Sequence, residues 1–158
     1  MSRPCAVILR PALVHEARAM AEMSRTLIEA GLSWRYTPRR MAALMADADT
    51  VALVAHDGAR LQGFAVMHFG DEHAHLVLLC VQPAQRRRGT GGRLAQWLIE
   101  SARVAGSASI GLELRADNAG AMAFYRRLGF SPTEEVAGYY DASVAARRMT
   151  LMLRAPIR

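Results

Sequence analysis

The sequence contains no lysine, so all 20 of its Lys and Arg positive charges are carried by arginine. With only 14 Asp and Glu, the formal net charge is +6. Because a guanidinium binds phosphate and carboxylate oxygens in pairs, this composition favours an anionic ligand. Nucleic acid is the other usual partner of so basic a chain. We do not expect it here, because the arginines form scattered pairs and one triplet without interleaved aromatic residues.

The sequence also lacks long apolar runs and has few cysteines. No run approaches the ~18 residues of a membrane-spanning helix, and the apolar stretch in MSRPCAVILRPA is too short for a secretory signal. Cys5 and Cys80 form no disulfide framework, so we interpret them as reduced thiols. A hydrophobic fraction of 52% excludes wholesale disorder. We therefore expect one cytoplasmic domain over residues 1–158, without membrane association.

Hydrophobic periodicity and capping signals predict the order β-α-α-β-β-β-α-β-α-β-β. This order corresponds to an α/β (α+β) fold, a mixed central sheet of about 6–7 strands with helices on both faces. The predicted strands cover 7–9, 51–55, 61–69, 75–81 and 110–115, with a last hairpin after 130 that ends at 148–153. The predicted helices cover 13–30, 37–46 and the segments ending near Gly106 and Gly129. In the last of these helices, a buried stripe is expected from Ala121, Phe124 and Leu128, with Tyr125 beside it.

The segment 80–92, CVQPAQRRRGTGG, lies between a predicted buried strand and a predicted helix. Backbone N–H groups of a glycine-rich turn at a helix N-terminus bind phosphate, because they lack helical partners and lie at the positive end of the helix dipole. The segment therefore predicts a site for the pyrophosphate of a coenzyme. The residues expected to contribute backbone donors or positive charge are Arg86, Arg87, Arg88, Gly89, Thr90, Gly91 and Gly92. The alternative is a charged surface turn without a ligand.

Two motifs resemble the hallmarks of the GNAT superfamily of N-acetyltransferases. They are Val81-x-Pro83-x-x-Arg86-x-x-Gly89-x-Gly91 and Asn118-x-x-Ala121-x-x-Phe124-Tyr125-x-x-x-Gly129-Phe130. The segment LELRADN at 112–118, together with Tyr139-Tyr140, is similar to the bacterial ribosomal-protein-alanine N-acetyltransferases. The resemblance extends from about residue 76 to 140 and is weak before it.

This resemblance implies an enzyme that uses acetyl-CoA to acetylate a primary amine by direct attack in a ternary complex. It implies Glu113 as general base, Tyr125 as general acid and Asn118 as a coenzyme contact. Backbone N–H groups near Leu79, Cys80 and Val81 would polarise the thioester carbonyl. The favoured acceptor is a protein or peptide N-terminal α-amine. The alternatives are a small-molecule amine (a polyamine, an amino acid or an aminoglycoside) and an acyl-CoA-binding sensor without catalysis. The resemblance to the superfamily also implies a homodimer.

The residues are consistent with this chemistry. An α-amine is largely protonated at neutral pH, so a base must remove its proton, and Glu113 lies on the polar face of its strand. The alternative is that Glu113 only pairs with an arginine across the sheet. A phenol with a pKa of ~10 is a competent donor to the leaving thiolate, whereas the alternative gives Tyr125 a packing role. Cys80 is expected to be buried and not to form a covalent intermediate.

Three further features have less specific patterns. Trp34 and Tyr36 either line the acceptor site or anchor their loop, and Tyr139 is a further candidate for acceptor contact. The group at a predicted hairpin tip consists of His68, Asp71, Glu72, His73 and His75. It lacks the tight spacing of a metal site, so no metal is expected.

Overall fold

The computed structural model describes residues 6–141 and 144–154. Cys5 lies outside these ranges. The strands are β1 Ile8–Pro11, β2 Thr50–His56, β3 Leu61–Phe69, β4 His73–Val81, β5 Ser109–Arg115, β6 Ser131–Asp141 and β7 Val144–Met152. The α-helices are α1 Ala17–Leu27, α2 Pro38–Ala46, α3 Thr90–Val104 and α4 Ala119–Arg127, with single 3-10 turns at Val14–Glu16 and Pro83–Gln85. None of the helices in this described part of the chain is long and apolar enough to cross a bilayer.

The strands form one seven-stranded sheet in the order β1-β2-β3-β4-β5-β7-β6. β4 and β5 run parallel, whereas the pairs β1–β2, β2–β3, β5–β7 and β6–β7 are antiparallel. A mixed sheet results, and the predicted order of elements is confirmed from β1 to β7. β3 and α2 also have the bounds that the sequence predicts. The start of α2 is fixed by its cap, because the Thr37 side chain accepts the Arg40 N–H and Pro38 is the first helical residue.

The chain divides into two compact units. The first unit comprises Met1–His68 and Leu78–Leu98. Its helices α1 and α2 contact each other, and α2 also contacts β2. Its largest fully buried side chains are Met20, Met41, Leu53, Val54, Phe64, Val66, Met67, Leu94 and Leu98. Three of these are methionines, which fill irregular core gaps without serving as ligands.

The second unit comprises Phe69–Val77 and Ile99–Arg158. β5 forms its centre and alternates as predicted: Ile110, Leu112 and Leu114 are buried, while Glu113 and Arg115 are half-buried. In the register, Glu113 lies opposite Arg148 on β7, and Arg148 lies opposite Glu134 on β6. The strand pairing therefore brings three charged residues into one row across the sheet.

The first predicted helix, 13–30, is too long at both ends. At its start, the Glu16 carboxylate accepts the Leu13 N–H at 2.8 Å and binds Arg10 at 2.7 Å, which leaves only a 3-10 turn before α1. At its end, the Glu29 N–H donates to the Ser24 carbonyl, five residues back, so the α-helical pattern is lost after Leu27.

The predicted burial of α4 is also wrong. Ala121, Phe124 and Leu128 are only half-buried, whereas Tyr125 is 8% exposed. Tyr125 packs edge-to-face against Phe124 and Phe130, at ring-centroid distances of 5.0 and 5.6 Å. The tyrosine expected at the helix edge therefore belongs to the core of the second unit.

Candidate active site

The loop before α3 presents backbone donors at a helix N-terminus. The Arg93 N–H donates to the Gly89 carbonyl at 3.0 Å, which starts the helical hydrogen-bond pattern. The N–H groups of Thr90, Gly91 and Gly92 precede this bond and point out of the helix end. Within the loop, the Arg88 N–H donates to the Gln85 carbonyl at 3.3 Å, so it is not among these donors. Arg88 is expected mainly to add positive charge, and that role stays a prediction.

The backbone of this loop adopts a conformation that suits an anion. Arg87 and Gly89 have positive φ values of 65° and 81°. An arginine in the left-handed region of φ/ψ space has a strained backbone, and strained residues of this kind cluster at ligand-binding sites. Positive φ values near a helix start also turn successive N–H groups into a concave anion-binding nest. With Arg86, Arg87 and Arg88 all exposed around it, the loop fits the pyrophosphate of a coenzyme.

Alanine substitutions at Gly89 and Gly92 distinguish the effect of backbone conformation on CoA binding from the effect of an added side chain. An added Cβ meets no protein atom within 4 Å at either Gly89 or Gly92, but only Gly89 has a positive φ. Gly89→Ala should therefore weaken CoA binding by about tenfold, since a left-handed L-residue costs ~1–2 kcal/mol. Gly92→Ala retains its N–H and should keep CoA affinity within about threefold. Calorimetric titration with CoA measures both, and equal affinities for the two variants would contradict this assignment of the loop.

The end of β4 carries three residues with predicted backbone roles. Cys80 is 8% exposed, and this burial raises the pKa of its thiol, which disfavours the nucleophilic thiolate. Leu79 and Val81 are half-buried. Gly63 on β3 lies so close that an added Cβ would come within 2.9 Å of the Cys80 carbonyl oxygen. The peptide groups of this strand end are therefore held firmly, and their role towards a thioester stays a prediction.

Glu113 is the centre of a charged network in the second unit. Its Oε2 lies 2.5 Å from His75 Nε2, and its Oε1 lies 3.4 Å from Arg148 Nε. Arg148 also donates through Nη1 to Glu134 Oε1 at 2.6 Å. The Glu113 side chain is 16% exposed, whereas His75 is 43% exposed. The arginine pairing considered as an alternative role for Glu113 is thus present, together with a histidine that the sequence had not connected to it.

The electrostatics of this network keep Glu113 ionised. The hydrogen bond from His75 is the largest cause, and the positive charge of Arg148 adds to it, so the pKa of Glu113 is lowered despite partial burial. The carboxylate is therefore an acceptor throughout the neutral range. It can orient a donor, take part in proton transfer and stabilise a neighbouring cation.

The two other predicted residues of this unit lie on α4. Asn118 is its N-cap: the side-chain oxygen accepts the Ala121 N–H at 3.0 Å. Because this oxygen caps the helix, the donor that Asn118 can offer a coenzyme is its amide NH₂. Tyr125, on the same helix, is buried, and its edge-to-face contacts with Phe124 and Phe130 restrain its ring.

The two aromatic residues of the α1–α2 loop have structural partners. The Trp34 indole N–H donates to the Ala21 carbonyl at 3.2 Å, and the Arg25 guanidinium lies 4.9 Å from the Trp34 ring centroid. The Arg40 guanidinium likewise lies over the Tyr36 ring, 5.0 Å from its centroid. These contacts anchor the loop. Contact of either ring with an acceptor stays a prediction.

A buried carboxylate fixes the backbone of the same loop. Glu29 is 6% exposed, and its Oε1 accepts the N–H groups of Arg35 and Tyr36 at 2.7 and 3.2 Å. Its Oε2 accepts the Ser24 hydroxyl at 2.9 Å. Sequence reasoning missed Glu29, because nothing in the local pattern shows that a helix-end glutamate folds back on a later loop. Tyr139, the third acceptor candidate, lies on β6 and packs edge-to-face on Tyr140.

The hairpin-tip histidines have separate hydrogen-bond partners. His68 Nδ1 lies 3.3 Å from Thr50 Oγ1, His73 Nδ1 lies 2.7 Å from Ser109 Oγ, and His75 contacts Glu113. In the two described ranges, no three His, Cys, Asp or Glu residues come together in a way that could hold a metal ion.

Comparison with known protein families decides the assignment of the chain. Residues 17–130 match the model of the acetyltransferase (GNAT) family. The chain belongs to the GNAT family. The match includes both motifs on which the resemblance rested and the whole of the segment from β2 to α4.

Curated relatives of this GNAT chain include two enzymes named [ribosomal protein bS18]-alanine N-acetyltransferase. The protein from Salmonella typhimurium is 36% identical over 84 residues, which cover 53% of this chain and 57% of the relative. The one from Escherichia coli K12 is 32% identical over 98 residues, covering 62% of this chain and 66% of the relative. The alignments thus span about six tenths of the length of these relatives.

Solved structures confirm the GNAT fold over almost the whole chain. The ribosomal-protein-S18-alanine N-acetyltransferase from Escherichia coli has a TM-score of 0.82 at 22% identity, covering 97% of both chains. Arabidopsis thaliana NAA60 in complex with acetyl-CoA has a TM-score of 0.82 at 16% identity, covering 93% of this chain and 98% of the other. Nourseothricin acetyltransferase has a TM-score of 0.64 at 28% identity, covering 68% of each chain.

Proposed function

We propose that this GNAT chain is an acetyl-CoA-dependent N-acetyltransferase that acts as a single domain. The observation that carries the proposal is the ionised carboxylate of Glu113, held between a histidine and an arginine on a strand of a fold whose members include acetyl-CoA complexes. The nest-forming loop before α3 supports it independently, because it offers the N–H donors and arginines that a pyrophosphate requires.

Each proposed residue has a defined task in the reaction. Loop N–H groups from Gly89 to Gly92, with the nearby arginines, bind the coenzyme phosphates, and the Asn118 amide adds a contact. When bound, the coenzyme supplies an acetyl thioester. Glu113 accepts the proton of the acceptor ammonium, directly or through water, so that the amine can attack. Tyr125 protonates the leaving thiolate, and strand N–H groups near Leu79, Cys80 and Val81 polarise the carbonyl.

The favoured acceptor is the N-terminal α-amine of a protein or peptide. Support comes from the two relatives described above, which are named as alanine N-acetyltransferases of ribosomal protein bS18. An α-amine has a pKa of ~8, which a moderately strong base can deprotonate near neutral pH. Trp34, Tyr36 and Tyr139 are the side chains proposed to contact the acceptor. We expect the enzyme to act in the cytoplasm and without nucleic acid.

A small-molecule amine is the second candidate acceptor. The similarity to nourseothricin acetyltransferase, at 28% identity, favours it. An acyl-CoA sensor without turnover is the third candidate, and the presence of Glu113 and Tyr125, which the chemistry needs as base and acid, argues against it.

A panel of acceptors tests the proposal and separates these alternatives. The assay measures CoA release from acetyl-CoA with N-terminal peptides, polyamines, amino acids and aminoglycosides in turn. We expect turnover with peptides whose N-terminus is free. Turnover with small amines alone would reject the peptide acceptor, and CoA binding without release in any well would indicate the sensor.

A further inference from the structure

The loop between α1 and α2 is surrounded by positive charge. Four exposed arginines belong to it or flank it: Arg25 at the end of α1, Arg35 in the loop, and Arg39 and Arg40 in the first turn of α2. We call these four residues the arginine group. Within residues 6–141 and 144–154, none of the four forms an ion pair with a carboxylate.

The stretch of chain that carries the arginine group has a single carboxylate, and that carboxylate is buried. Glu29 is the only acidic residue from 23 to 46. It is 6% exposed, and its Oε1 accepts the N–H groups of Arg35 and Tyr36 at 2.7 and 3.2 Å. The carboxylate therefore holds the backbone of the loop and leaves the guanidinium groups at the surface for an external anion.

Aromatic rings hold two members of the arginine group in place. The Arg25 guanidinium lies over the Trp34 ring, and the Arg40 guanidinium lies over the Tyr36 ring. A guanidinium that contacts a ring through its flat face keeps the N–H donors at its edge for other partners. Because the side chains are already oriented, they lose less conformational freedom when they bind a carboxylate.

The charge in the first turn of α2 opposes the stability of that helix. Arg39 and Arg40 lie at the positive end of the helix dipole, and no acidic residue of the same turn compensates them. Local features that reduce stability without an internal partner are expected mainly at functional sites. An acidic ligand would reduce the repulsion between these charges.

We propose that the arginine group selects acceptor peptides that carry Asp or Glu among the first few residues after the acetylated α-amine. The inference rests on the proposed peptide acceptor and deepens it by naming the charge of that peptide. Arginine suits this task, because its planar fork binds the two oxygens of a carboxylate together. Trp34 and Tyr36 are themselves proposed acceptor contacts, so the oriented arginines lie beside the proposed path of the peptide.

Three lysine-free peptides of equal length test the charge preference. Each begins with a free alanine, and residues 2–4 are all Glu, all Gln or all Arg. We expect kcat/KM for the Glu peptide to exceed that for the Gln peptide by about tenfold at low ionic strength, through KM and not kcat, since each exposed charge pair contributes modestly. Added salt should reduce this preference. Equal values for the Glu and Gln peptides, or a preference for the Arg peptide, would overturn the inference.

Two substitutions assign the preference to the arginine group. Arg25→Gln and Arg40→Gln should each raise KM for the Glu peptide by about threefold, while KM for the Gln peptide and the affinity for CoA stay unchanged. Arg60→Gln is the matched control, because Arg60 is an exposed arginine of the same unit in the β2–β3 turn, and it should retain both KM values. An equal rise of KM for both peptides would indicate a structural effect and contradict the proposal.

Binding without turnover separates this inference from the proposed function. Fluorescence anisotropy measures the affinity of the same peptides, labelled at the C-terminus, in the presence of CoA. If no peptide is acetylated, the proposed function fails, and tighter binding of the Glu peptide than of the Gln peptide still supports the arginine group as a site for acidic peptides. Equal binding of the two peptides would overturn it. A uridine hexanucleotide that binds more tightly than the Glu peptide would assign the surface to nucleic acid and overturn it as well.

Discussion

Glu113→Gln should lower kcat/KM for a peptide acceptor by about 10²–10⁴-fold at neutral pH, the usual effect of removing a general base. The glutamine keeps the size of the side chain but cannot accept a proton. The loss should shrink as the pH rises past the α-amine pKa of ~8, because the amine then deprotonates without help. In the wild-type enzyme Glu113 stays ionised throughout the neutral range, since the hydrogen bond from His75 lowers its pKa from the ordinary value.

A matched control for this variant is Glu135→Gln. Glu135 on β6 also pairs with an arginine on the neighbouring strand, Arg147, at 3.1 Å, and among residues 6–141 and 144–154 no histidine forms an ion pair with it. If pairing with arginine were the whole role of Glu113, the two variants would show similar small changes. A loss in Glu113→Gln that is independent of pH would indicate structural damage and contradict its role in proton transfer.

Tyr125→Phe has the second largest expected effect. Removing only the hydroxyl should lower kcat by about 10²-fold, because the leaving thiolate loses its proton donor. The two edge-to-face contacts of the ring should remain, since they depend on the aromatic ring and not on the hydroxyl. CoA affinity and the unfolding temperature should therefore stay close to those of the wild type.

These two readouts distinguish catalysis from packing at Tyr125. The residue is 8% exposed, so a packing role is a real alternative for it. A variant that loses thermal stability in proportion to its activity would support the packing role. Retention of a wild-type kcat would exclude Tyr125 as the general acid.

Local signals in the sequence predicted much of the fold and one part of the site. The α2 start follows from Thr37 and Pro38, because capping needs only neighbouring residues. The polar face of β5 follows from strict alternation, which places Glu113 opposite the buried side chains.

The features that the sequence did not reveal depend on contacts between distant segments. His75 and Arg148 reach Glu113 only through the register of β4 and β7 against β5, and a shift by one residue would reverse every side chain. The burial of Tyr125 likewise depends on which face of α4 meets its neighbours. Periodicity predicted that Phe124 faces the core, whereas the adjacent Tyr125 is the buried residue. Both side chains are large and aromatic, so the pattern of residue types did not distinguish them.

Acetylation of a peptide with a single amine tests the central claim most directly. The substrate is a lysine-free peptide with a free N-terminal alanine, compared with the same peptide already blocked at its N-terminus. With acetyl-CoA and the wild-type chain, we predict CoA release only with the free peptide, and fragmentation mass spectrometry should locate the acetyl group on the α-nitrogen. Equal CoA release with both peptides, or none with either while a small amine is acetylated, would contradict the assignment of a peptide α-amine as acceptor.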